Sequence, residues 1–373
     1  DKGDADRRWE KKLRDHKNLA AEEERKARDK KLECDRETRN IMKQLAQKEK
    51  NEIDKAIAES KEEFRAQYAF IRERMEYVRP AKDLLFFRNS NYGYVTRYGT
   101  PRTEYDASHR GCNTKNMHDL KQVVTISDGV IGLGNDGRIQ LSNISPNDIE
   151  AWGLSACAKW KNVKKIDAAN FVASTGQVIA LLQNGHCVAT TPSNSSHVHR
   201  VEGWSEIIDI ICEEYFAVGL RKDGTVVISG TGGIPDNLRK LYNGQRDIIA
   251  IFHYNTWYFT ALKADGSVLP DIPELREPAA SAKNIISITK NIRGPAFLQA
   301  DGTVIATREV SGGWGGKNTE GYPVTELKDV LALYTCSGSG DFAALSEDGY
   351  FRVFDDYRKD AYELNKNDPI FKS

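Results

Sequence analysis

One pattern constrains the fold of this chain more than any other: an Asp-Gly or Asn-Gly pair, three residues beyond a leucine, that returns six times. The pairs are Asp136-Gly137, Asn184-Gly185, Asp223-Gly224, Asp265-Gly266, Asp301-Gly302 and Asp348-Gly349. The leucines are Leu133, Leu181, Leu220, Leu262, Leu298 and Leu345. Three residues after each turn residue comes an apolar one: Ile139, Cys187, Val226, Val268, Val304 or Phe351. Such a pair between two apolar runs predicts a β-hairpin, read as type I′ because that turn needs two residues tolerant of positive φ. Upstream of each hairpin an I-x-x-I pair adds a first strand: Val123/Ile126, Val163/Ile166, Ile207/Ile210, Ile248/Ile251, Ile285/Ile288 and Val330/Leu333. The unit is clearest over residues 204–230 and recurs at spacings of 36 to 48 residues. A three-stranded sheet cannot bury both faces alone, so neighbouring units must stack. A period near 40 residues points to a β-propeller.

The string EYFAVGLRKDGTVVISG, residues 214–230, resembles the repeats of propellers similar to the regulator of chromosome condensation, particularly their bacterial members. The resemblance covers residues 84–373 and implies an all-β propeller. The glycine-rich segment that follows the hairpin in that family is replaced here by LSNISPNDIEAWG after the first turn and REVSGGWGGKNTEGYP after the fifth. Members include an exchange factor for a small GTPase, ubiquitin-ligase accessory domains, a photoreceptor and a secreted β-lactamase inhibitor. None of their binding residues maps onto this chain by motif, so the resemblance implies a fold and no ligand.

Residues 84–99 read as a degenerate seventh hairpin turning at Asn89-Ser90-Asn91, with its first strand missing. Ile370 stands where such a strand would begin. The expectation is therefore a seven-bladed ring over 80–373, closed by the C-terminal strand; six blades is the alternative count. Closure removes exposed sheet edges. The connections 142–159, 190–203, 230–246, 270–282 and 307–326 carry prolines and glycines and read as loops. The turns between first and second strands would gather on one rim.

Residues 1–79 are a different material. Of the first 80 residues, 23 are basic and 20 acidic, and only Gly3 interrupts them before Pro80. This predicts a long solvated helix. A heptad half-stripe (Leu13, Ala20, Ala27, Cys34, Ile41) strengthens into Ile57, Phe64, Tyr68, Ile71, Met75 and Val78. That end is expected to form a coiled coil, self-associating through it, or to pack on the propeller.

With 54 basic and 54 acidic residues the chain has no electrostatic footprint for nucleic acid. No apolar run approaches a membrane span. The six cysteines, Cys34, Cys112, Cys157, Cys187, Cys212 and Cys336, are scattered without a C-x-x-C and read as reduced core residues of a cytoplasmic protein. The chain begins at Asp1 without methionine, which suggests a fragment with a further segment upstream.

No catalytic or metal pattern is assigned. His197 and His199 lie near His186 and Cys187 but lack a third ligand at zinc spacing, and read as solvated loop residues. His109, Cys112 and His118 are no stronger. Residues 312–317 lack the glycine spacing and the Ser or Thr of a phosphate loop. Residues 337–341 are no nucleophile elbow, and Glu213-Glu214 and Asp355-Asp356 are adjacent pairs that a strand would point apart. Asn143 and Asn194 match glycosylation acceptors, against which the cysteine usage argues.

What remains is surface. Tyr215, Tyr254, Trp257 and Arg293 on the short-turn rim, then Trp152 and Trp314, are the candidate partner-binding residues, because aromatics and Arg carry interface energy. Trp160 and Trp204 are assigned to the core. The expected role is a non-enzymatic, cofactor-free adaptor, sensor or scaffold of bacterial type. It would bind a protein partner by its loop rim and be joined through the helix to an upstream domain or assembly. The alternatives are a small-molecule or nucleotide sensor using the central channel, and a small-GTPase exchange factor by fold analogy.

Overall fold

Each of the six Asp-Gly or Asn-Gly pairs closes a hairpin, but by a different turn from the one expected. In the computed structural model Gly137 N–H donates to Gly134 O at 3.0 Å and Gly134 N–H to Arg138 O at 2.9 Å. Only the glycine has positive φ (+77°). This is a type I turn ending in a bulge with glycine in the left-handed region, not type I′. The Asp or Asn is there for its carboxyl or amide oxygen: Oδ1 of Asp136 accepts from Arg138 N–H, and Asn184, Asp223, Asp265, Asp301 and Asp348 do the same two residues on.

The structure describes residues 2–78, 84–88, 91–96, 98–103, 113–126, 129–170, 176–192, 198–230, 233–254, 257–290, 294–311, 317–335, 342–355 and 360–363. Among them are seven small antiparallel sheets. In chain order these are β1–β3 (Leu85–Arg88, Asn91–Val95, Pro101–Thr103), β4–β6 (Leu120–Ile126, Gly129–Gly134, Ile139–Leu141) and β7–β9 (Val163–Asn170, Gly176–Leu182, Cys187–Ala189). Then come β10–β12 (Ile207–Cys212, Ala217–Arg221, Val226–Ser229) and β13–β15 (Ile248–Phe252, Thr260–Lys263, Val268–Leu269). The last two have a fourth strand: β16–β19 (Ile285–Lys290, Pro295–Gln299, Val304–Ser311, Lys317–Pro323) and β20–β23 (Val330–Thr335, Phe342–Ser346, Phe351–Asp355, Asp360–Glu363). The first strands touch in succession, β1 to β4, β7, β10, β13, β16 and β20, and β20 touches β1. The chain is a β-propeller preceded by an N-terminal helix.

The I-x-x-I spacing has a cause in the backbone. In an unbroken strand residues i and i+3 face opposite sides. Six of the first strands carry an irregularity at the same place, between Ile207 and Asp209 in β10 and at the matching positions of β4, β7, β13, β16 and β20. A bulge there turns both residues of the pair to one side. Each pair then packs on the leucine of the preceding sheet: Leu133 with Val163 and Ile166, Leu181 with Ile207 and Ile210, Leu220 with Ile248 and Ile251. Leu262 shares a core with Ile285 and Ile288, and Leu298 with Val330 and Leu333. All six leucines are at most 1% exposed. In β4 the pair in register is Leu120/Val123, packed on Val95, rather than Val123/Ile126.

A second joint repeats outside the core. The residue before each bulged strand (Asp119, Asn162, Glu206, Asp247, Asn284, Asp329) has φ between +49° and +59°. Its carbonyl accepts from the turn of its own sheet, as in Lys222 N–H to Glu206 O at 2.9 Å. At five of the six joints the next amide reaches back to the preceding turn glycine (Gly99, Gly137, Gly185, Gly224 and Gly302), as in Ile248 N–H to Gly224 O at 3.1 Å.

Two further expectations are corrected, and a third falls outside the described residues. The N-terminal sheet does not lack its first strand: β1 is that strand, and its outer turn is at Gly99 (φ +73°), whose carbonyl accepts from Leu120 N–H as the other turn glycines do. Residues 364–373, with Ile370, lie outside the described residues, and the last described strand, β23, pairs with β22. Nor are the long connections plain loops. They hold α2 (Pro146–Ala151), a 3-10 helix (Leu154–Lys159), α3 (Gly233–Tyr242), α4 (Pro273–Ala279) and the β18–β19 pair. Pro146 and Pro273 sit at helix starts, where the missing N–H costs nothing.

The helix α1 runs from Lys2 to Val78. The chain divides into compact units 1–67 and 68–373. In the first, every side chain over 7–56 is exposed, Leu13, Cys34 and Ile41 included. Pairs such as Lys26–Glu22 and Lys55–Glu59 contribute only a few tenths of a kcal/mol each. In the second, Ile71 and Val78 of the helix end are buried among residues of the sixth and seventh sheets, and Arg74 pairs with Glu347 at 3.4 Å.

Candidate functional site

The bulges that set the core register also decide what faces the channel. The residues following the first member of each pair are Lys121, Lys164, Ile208, Ile249, Ile286 and Leu331, and all six line one cavity of about 940 Å³. Two adjacent sheets thus supply lysines and the next four supply aliphatics. Met75 and Val78 of α1 form part of the same wall. Gln122 bonds both backbone groups of Ile166 (2.7 and 2.9 Å), and Lys165 is paired with Asp209. Burial pulls the Lys121 pKa down, against the nearby Asp136.

Towards the opposite end of the first strands lies a polar cluster that the sequence did not reveal. His253, just after β13, is held between Asp167 of β7 and Glu213 after β10, with both ring nitrogens at 2.7 Å from a carboxylate oxygen. Asp167 also accepts from Cys212 N–H at 2.8 Å. Burial works against the charged imidazole, but the two carboxylates outweigh it and push its pKa up to about 10. Three sheets are clamped by one imidazolium.

Beside the clamp, Tyr215 and Trp257 come together with ring centroids 6.3 Å apart, and Trp257 is 63% exposed. The other rim candidates separate from them. Tyr254 is buried and stacks on Tyr258 at 5.0 Å. Trp152 is wholly buried with Leu154 and Cys157 in an inter-sheet core, which corrects its placement on a binding surface. Arg293 and Trp314 lie outside the described residues. Trp204 is buried and Trp160 packs against the core.

His199 is not solvated: it is 1% exposed, its Nε2 lies 2.8 Å from Glu213 O, and its backbone is bracketed by the Gln177 amide. His197, Cys112 and Cys336 lie outside the described residues. No metal-holding group of His, Cys, Asp and Glu is found among the described residues. Cys157, Cys187 and Cys212 are buried thiols, burial pushing the first two up to about 12, whereas Cys34 is exposed and belongs to no core. No helix among the described residues is long and apolar enough to cross a membrane.

No protein-family model and no curated protein matches the chain. Solved structures do. Prp20p from Saccharomyces cerevisiae, the yeast RCC1, is 12% identical over 76% of this chain and 81% of its own, with a TM-score of 0.42. Human WBSCR16 is 14% identical over 63% and 76%, at 0.37. The CRINKLY WD40 ectodomain of the Arabidopsis thaliana receptor kinase ACR4 is 12% identical over 39% of this chain, which spans 50% of that one, at 0.31. Likeness of this degree bears on neither partner nor activity; the propeller rests on the sheets themselves.

Proposed function

We propose that the chain is a non-enzymatic interaction module, an adaptor or scaffold whose propeller reads a protein partner through the rim around Tyr215 and Trp257. The seven sheets would form the complete ring over 80–373, and α1 would act as the charged spacer joining it to a larger assembly. The observation that carries the reading is an exposed Trp257 beside Tyr215, which follows Glu213 of the clamp by two residues. A large exposed aromatic with only two side-chain rotors loses little entropy on binding, which is what a hot spot requires. The rim turns differ from sheet to sheet, so one partner could be recognised by several loops at once.

A photo-reactive residue in place of Trp257 should cross-link the partner, once found, in a full-length chain. Trp257→Ala should weaken that partner by at least about 2 kcal/mol, on the order of thirtyfold. If residues 1–67 alone bind the partner as well as the full chain and Trp257→Ala changes nothing, the propeller is not the reader.

A further inference from the structure

The channel cavity carries an inference independent of the rim. Its six bulge positions are equivalent by register, yet they are not a uniform lining: Lys121 and Lys164 are neighbours on β4 and β7, and Ile208, Ile249, Ile286 and Leu331 follow. Part of the aliphatic arc has a structural explanation. Ile286 and Leu331 are buried with Ile71 of α1, and Met75 and Ile249 both pack against that core. That explanation does not reach Ile208, which lines the cavity 40% exposed, nor the lysines opposite the helix end.

The lining holds three lysines (Lys121, Lys164, Lys165) against two carboxylates (Asp119, Asp209). Asp136, which acts on Lys121 from nearby, is itself paired with Arg138 at 3.8 Å, so the balance favours an anionic guest. Asp209 is taken by Lys165, and Asp119 accepts from the Asn135 amide at 2.8 Å. Lys164 is exposed, and the Lys121 ammonium has a carbonyl, Val163 O, at the long distance of 3.5 Å. A half-buried ammonium so placed gains from an anion. Two such cations suit a single carboxylate better than a polyphosphate. The apolar wall is mainly aliphatic, as an alkyl chain requires, and its volume is at the upper end of the roughly 300–1,000 Å³ of small-molecule sites.

We propose that this cavity binds an alkyl carboxylate, its head between Lys121 and Lys164 and its chain along Ile208 and Ile249 towards the Met75 end of α1. A guest so placed would touch the helix and four sheets at once, coupling occupancy to how firmly the end of α1 is seated.

Titration calorimetry of the full chain with dodecanoate, kept below its micelle concentration, tests this. Dodecanol, dodecylamine, acetate and GTP serve as comparators. Saturable one-to-one binding of dodecanoate is expected, with dodecanol and acetate at least about tenfold weaker and no binding of dodecylamine. The double variant Lys121→Gln/Lys164→Gln should lose about tenfold or more for dodecanoate and nothing for dodecanol. Ile208→Trp, which fills the chain's path and leaves both lysines, should weaken both, and it decides the matter if the double variant fails to fold. Equal binding of dodecanol and dodecanoate, indifference to both variants, no binding at all, or binding of GTP in preference would each overturn the proposal.

Discussion

Alanine at Gly224 and at Gly266 separates what the turn glycine does for its own hairpin from what it does for the joint between sheets. Both have left-handed φ, +79° and +80°. That conformation costs an L-residue about 1–2 kcal/mol at either site. At Gly266 nothing lies within 4 Å of where a Cβ would stand, so the backbone cost is the whole effect. At Gly224 the same carbon would stand 2.9 Å from Asp247 N and 3.0 Å from its Cα. These are backbone atoms of the next sheet, at the joint where Ile248 N–H reaches Gly224 O at 3.1 Å. Opening that joint loses about one further net hydrogen bond, roughly 1 kcal/mol, together with packing around it. Gly266→Ala is therefore expected to cost about 1–2 kcal/mol and Gly224→Ala about 2–4 kcal/mol. For a unit of this size the gap is a few degrees in Tm, at roughly 2 °C per kcal/mol. Urea unfolding of both variants measures it directly. Equal midpoints would refute the joint, because they would leave the hairpin as the glycine's only role.

The clamp makes a pH prediction. Its two carboxylates hold the folded-state pKa of His253 near 10, above the roughly 6.5 of the unfolded chain, so its contribution is full below about pH 6.5 and is lost as pH rises through about 10. His253→Gln should flatten that part of the urea-midpoint profile, and an unchanged profile would remove the clamp from the stability of the fold. Leu220→Ala, at a site 1% exposed between two sheets, should cost about 2–5 kcal/mol, whereas Ile208→Ala, facing the cavity, should cost far less; equal losses would contradict the register. A thiol reagent should label Cys34 in the native chain and leave Cys157, Cys187 and Cys212 unmodified until unfolding, as mass mapping would show.

The repeat was legible because it is written in residues with few substitutes. A glycine at positive φ and a leucine filling one inter-sheet gap leave fixed marks at fixed offsets. The bulge was less visible, although it is the reason an I-x-x-I pair can share one face; read as plain strands, that spacing has no explanation. The left-handed residue before each bulged strand had left its mark as well, in the Asp, Asn or Glu ahead of Leu120, Val163, Ile207, Ile248, Ile285 and Val330. Asx residues enter that region more readily than most, so the signal was available. The His253 clamp was not. Its members come from positions 167, 213 and 253, which nothing local relates, and only the ring brings them together. Trp152 shows the reverse error: a large aromatic in a connection looked like surface because its helix, started by Pro146, was read as a loop.

The claim on which the rest stands is that the last sheet returns to the first. Tyr94 of β2 and Phe351 of β22 have ring centroids 5.6 Å apart although 257 positions separate them. A benzophenone side chain in place of Tyr94, irradiated in the folded full-length chain and mapped by mass spectrometry, reads that neighbourhood directly. Adducts should fall on peptides containing Phe351 or Tyr334, which share the Tyr94 core. Adducts confined to residues 84–141 would mean that the sheets form an open row, with no channel between them.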